Sequence, residues 1–77
     1  MDAMRRQLRD RIRGMTRQAA KALLSEALPE REYMAIYYAD VEQRALMDVA
    51  DVLRCTESGV KKLRIRGYAR LAGLPDA

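Results

Sequence analysis

Histidine, tryptophan and phenylalanine are absent from this chain, and it has one cysteine, two prolines and four glycines. Without histidine the commonest general base and the commonest metal ligand are missing. A single cysteine permits no internal disulfide and no set of thiolates for zinc or an iron–sulfur cluster. No enzymatic activity, no cofactor and no small-molecule substrate is therefore expected. The apolar runs are short against the ~20 residues that span a bilayer, so no membrane partner is expected. No basic segment leads through an apolar stretch to a cleavage site of small residues, so export is not expected and a reduced, cytoplasmic setting fits.

What is present points to helices. The hydrophobic residues make up 49% of the 77 but are mostly Ala and Leu, few are β-branched, and 34% of the chain is charged. Sheet proteins of this size need more Val, Ile, Thr and turn glycine. The expectation is an all-α single domain, a small bundle of four helices, or five if the first is interrupted. Such a domain buries only about 60–65% of the surface its unfolded chain exposes.

The net charge of +4 is unevenly spread. Residues 1–24 hold seven basic side chains against Asp2 and Asp10, residues 25–57 three basic against eight acidic, and residues 58–77 five basic against Asp76. The block charges of +5, −5 and +4 suggest one surface for a polyanion and another for a different contact.

Met4, Leu8, Ile12, Met15, Ala19, Ala22 and Leu23 recur at helical intervals, with Arg6, Arg9, Arg13, Arg17 and Lys21 on the opposite side. This predicts a basic amphipathic helix over residues 1–27, with a bend or break at Gly14. Pro29 suits a first turn, with Glu30 and Glu32 at the positive end of the dipole and the helix closing near Ala39. Asp40 and Gln43 have capping-box spacing, which starts a third helix at Val41; its buried stripe is Leu46, Val49, Ala50 and Leu53. Thr56 caps a fourth helix whose Val60, Leu63, Gly67 and Leu71 share a face. Gly73 and Pro75 end the ordered chain.

The last two helices, about 41–53 and 57–71, with Arg54-Cys55-Thr56 between them, describe a helix-turn-helix. On a wheel, Ser58, Lys61, Lys62, Ile65 and Ala69 face away from Val60. Lys reaches guanine O6 and N7, Ser bonds either base edge, and an apolar side chain meets the thymine methyl. Arg66 and Arg70 flank this strip, where phosphates lie. The plainer reading of these cations is a solvated helix face. Tyr33, Tyr37, Tyr38 and Tyr68 read as core packing rather than base stacking, and Cys55 as packing at the turn.

Leu28-Pro29-Glu30-Arg31-Glu32, Val49-Ala50-Asp51-Val52-Leu53 and Thr56 through Leu71 together resemble region 4 of bacterial sigma factors. The spacing is that of extracytoplasmic-function sigma factors and phage-encoded sigma-like regulators, and it covers residues 28–72. The resemblance implies a transcription regulator that binds double-stranded DNA at a promoter −35 element and contacts the RNA polymerase β-subunit flap. It places base-reading positions on Glu57, Ser58, Lys61 and Lys62. Glu57 stands where the family often has Arg, and Ser58 where it often has a charge, so a different DNA sequence is implied. Ala45 stands at the family's usual Ser or Thr cap. Nothing resembles region 2, so a complete sigma factor is not expected. The competing class is a helical adaptor that binds polymerase or another protein without reading DNA.

The first helix precedes the region of resemblance; its basic face suits phosphates, an anionic membrane surface or plain solubility alike, and its stripe from Met4 to Met15 must be buried on something. A homodimer pairing two first helices is one answer; folding back across the later helices is another.

Overall fold

Thr16 decides where the N-terminal segment breaks. In the computed structural model, which describes residues 2–73, α1 spans Asp2–Arg13 and α2 spans Arg17–Ala27. Thr16 is extended, and its hydroxyl accepts the Ala19 N–H at 3.1 Å, satisfying one orphan donor of the new helix. Gly14 lies between the two helices without a left-handed φ. The break expected at Gly14 is there, but a Thr cap makes it. The next boundary comes from Pro29: a residue before proline is pushed towards extended backbone, and Leu28 at φ −124, ψ 150 ends α2. α3 follows at Glu30–Ile36, with Glu30 and Glu32 in its first turn.

The chain then departs from expectation. Instead of closing near Ala39, α3 runs into a π-helical turn over Tyr37–Val41, where the Glu42 N–H bonds the Tyr37 carbonyl at 3.0 Å. The capping box is not formed. Asp40 lies inside the π turn with 1% of its surface exposed, and Gln43 has a left-handed φ of 55°. α4 begins five residues after Val41, at Leu46, with Ala45 in the cap position and no side-chain cap bond. The reason is competition. Asp40 is held by a cation and a hydroxyl in the interior, and such charge-assisted bonds outweigh an exposed cap. Arg44 secures the intervening loop: its N–H bonds the Tyr38 carbonyl at 2.9 Å, its Nε donates to Glu42 at 2.7 Å, and its guanidinium lies 4.8 Å over the Tyr38 ring.

α4 spans Leu46–Leu53 and α5 Glu57–Leu71. Arg54 sits between them at φ 55, ψ 50, and the Cys55 N–H bonds the Ala50 carbonyl at 3.0 Å. Glycine usually occupies this left-handed position because a Cβ is strained there. Arg54→Gly is therefore expected to raise the melting temperature by a few degrees, since about 1 kcal/mol moves a domain of this size by ~4–8 °C; thermal denaturation by circular dichroism checks it. Thr56 caps α5 as expected, accepting the Gly59 N–H at 3.0 Å.

Two clusters of buried side chains result. Ile12, Ala20, Leu24, Leu28, Ile36 and Tyr68 form one; Ala35, Ala39, Val49, Ala50, Leu53 and Val60 form the other. α3 and α5 contribute to both. They approach closely at Gly67, where a Cβ would stand 2.5 Å from Ile36 Cδ1. The all-α fold expected from composition is observed, with five helices among the described residues. α1 folds back on this body. Ile12 is buried and Leu8 and Met15 pack against the first cluster, while Met4 stays largely exposed. The stripe that invited a second copy is largely covered within one chain. The fraying expected past Gly73 lies outside the described residues, and among those no helix is long and apolar enough to cross a membrane.

Candidate nucleic-acid interface

α5 carries the candidate residues, and its inner face fixes where they point. Val60, Gly67 and Tyr68 are buried, so Ser58, Lys61, Ile65, Lys62 and Arg66 fall on the outer side within an arc of about 140° at ~100° per residue. All five are exposed, Ile65 at 48%. Glu57 is exposed at the flank, in the first turn, where its charge favours the helix dipole. Arg70 is turned aside: its Nε donates to Glu32 Oε1 at 2.8 Å. Ala69 is half-buried, beside α1.

The electrostatic anchor of α5 lies on its other flank. Arg64 Nη2 is 2.6 Å from Asp40 Oδ1, Arg64 Nε donates to Oδ2 at 3.3 Å, and the Tyr68 hydroxyl donates to the same Oδ2. Arg13 joins from α1, its Nε 3.4 Å from the Asp40 carbonyl and its Nη2 3.8 Å from the carboxylate. One carboxylate thus ties α1, the π turn and α5 together. Burial, reinforced by the hydrogen bond to Asp40, pushes the Tyr68 hydroxyl far above its ordinary value of 10.0.

That shift has a sign. The unfolded chain releases the Tyr68 proton near pH 10 and the folded chain keeps it, so this contribution is complete below about pH 10 and is lost as pH rises further, at about 1.4 kcal/mol per pH unit. Denaturation series on the wild type and Tyr68→Phe between about pH 9 and 11.5 should show a steeper alkaline loss in the wild type. Parallel curves would refute the assignment.

Beside the strip, α1 and α5 enclose a cleft of about 270 Å³, lined by Arg5, Arg9, Lys61, Arg64, Ile65 and Tyr68. The helical wheel put Arg9 and Arg13 on a solvent face, opposite the apolar stripe. Arg13 is indeed exposed, though its guanidinium also reaches Asp40, while Arg9 is half-buried, its Nε shielded from solvent without a hydrogen-bond partner among the described residues. Apolar periodicity locates the stripe but not the side chains at its edges, whose long stems reach around the helix. Sequence reasoning also missed Asp40 and Glu32. Their signal was register, because Glu32, Ile36 and Asp40 recur every four residues and a carboxylate on a buried stripe requires partners.

Fold and site together define a small all-α protein with a cationic helix face and a cationic cleft at its edge. Compared with known protein families, characterised proteins and solved structures, the chain matches none.

Proposed function

We propose that the chain is a sequence-specific DNA-binding regulator of transcription, working in the cytoplasm. In this reading α4, the turn at 54–56 and α5 act as a helix-turn-helix, with α5 in the major groove as the resemblance to sigma region 4 implies. The observation that carries it is the exposed arc of Ser58, Lys61, Lys62, Ile65 and Arg66 on a helix whose inner face is packed against α3 and α4. Lys61 and Lys62 supply donors for guanine, Ser58 a short adaptable contact, Ile65 an apolar contact for thymine, and Glu57 an acceptor for cytosine N4. Arg66 serves phosphates. Arg70, bonded to Glu32, serves them only from the edge of the site. The packing of Leu8, Ile12 and Met15 against their own chain supports action as a single copy rather than as the homodimer.

The resemblance also implies contact with the RNA polymerase β-subunit flap. Met47, 63% exposed, and Val52 on α4 give some support to a protein contact, and hence to the adaptor reading. Selection of bound duplexes from a random pool tests the two. DNA reading requires an enriched sequence whose affinity falls steeply with salt as condensed counterions are released. An adaptor enriches nothing.

A further inference from the structure

We propose that the cleft between α1 and α5 seats a phosphate of the DNA backbone, making the N-terminal helix part of the nucleic-acid interface; this rests on the DNA-binding reading above. Four cationic side chains from two helices, Arg5, Arg9, Lys61 and Arg64, converge on one concavity whose lining contains no acid. Like charges gathered in this way repel one another unless an anion joins them. Asp40 is bonded to Arg64 from behind, and an Asp10 oxygen lies 3.9 Å from Arg9 Nε, beyond hydrogen-bond reach. Arg9 lines the cleft with a third of its side chain exposed; its Nε is itself shielded from solvent, so a ligand meets the guanidinium through its terminal N–H groups. A phosphodiester oxygen is a strong acceptor for a guanidinium.

The place of the cleft selects the source of the phosphate. Lys61 and Ile65 belong both to its lining and to the exposed arc of α5. A duplex holding the N-terminal half of α5 in its groove presents its backbone at the edge of that arc, where α1 stands. α1 also flanks Ile65, Tyr68, Ala69 and Ala72 through Met4, Arg5 and Leu8. The free outer surface of α5 is thereby confined to its first two or three turns.

The test uses the full chain and the duplex enriched by selection, with affinity measured from about 50 to 200 mM salt. Arg9→Gln is expected to lower the slope of log K against log salt by about one, weakening all sequences alike. Arg5→Gln should do the same, which guards against a folding defect in either variant. Arg31→Gln, on α3 away from the cleft, should keep the slope. If both cleft variants keep the wild-type slope while Lys62→Ala, outside the cleft, loses affinity, the cleft assignment is overturned and the DNA reading stands. If the wild type enriches no duplex, both fall. Nuclear magnetic resonance supplies a separate arm: a saturable shift of the Arg9 Nε–H signal with inorganic phosphate, undisplaced by duplex, overturns the proposal in favour of a free anion.

Discussion

Asp40→Ala is expected to destabilise the fold by about 3–5 kcal/mol, the usual consequence of removing one partner from a buried ion pair. The variant leaves the Arg64 guanidinium, 22% exposed, and the buried Tyr68 hydroxyl facing a space with no carboxylate. A chain of this length has a total stability of about 4–12 kcal/mol, so the loss is a large part of the whole. Asp40→Asn, which keeps an acceptor oxygen but no charge, should lose less. Replacing the group together (Asp40→Ala, Arg64→Met, Tyr68→Phe) should recover much of the loss, because the penalty belongs to the unpaired charge rather than to the missing bond. Chemical denaturation measures all three variants. A loss below about 1 kcal/mol for Asp40→Ala, the size of one ordinary hydrogen bond, would remove the carboxylate from its central position.

The second large effect concerns binding. Lys61→Ala with Lys62→Ala is expected to weaken specific DNA binding by about 2–4 kcal/mol, at ~1–3 per good base contact, or roughly thirty- to several hundredfold in Kd. Both side chains are exposed, so the melting curve should barely move, and a binding loss cannot be a folding loss. Affinity within twofold of wild type at matched salt would exclude both lysines from the interface.

The later helices were largely legible because their local signals agree with their packing. Val49, Ala50, Leu53 and Val60 are buried where their spacing puts them, and Thr56 caps where a Thr before Glu57 should. The sequence misled where one residue type serves two purposes. Asp40 reads as a cap because cap and buried acceptor call for the same carboxylate, and its partners lie far off in the chain: Arg64 and Tyr68 on α5, 24 and 28 residues further on, and Arg13 on α1, 27 residues before. Thr16 went unread as a cap because Ala19, not Glu or Gln, stands three residues later, so half of the capping-box pattern is missing. The cleft was illegible for a related reason. It exists only once α1 lies across α5, and nothing within α1 states which way it folds after Gly14. The resemblance to sigma region 4 begins at Leu28 and is silent on that packing.

The two side-chain clusters share α3 and α5, and this bears on how the molecule comes apart. Neither cluster can be dismantled alone: α3 carries Ile36 into one and Ala35 into the other, and α5 carries Tyr68 and Val60 in the same way. Displacing either helix opens both at once, whereas α1 and α4 each border mainly one. Backbone amides of α3 and α5 should therefore exchange with solvent only through global unfolding, and those of α1 through smaller, local openings. The helix proposed to read DNA then belongs to the most cooperative part of the chain, and the helix proposed to grip the backbone belongs to a part free to lift and settle.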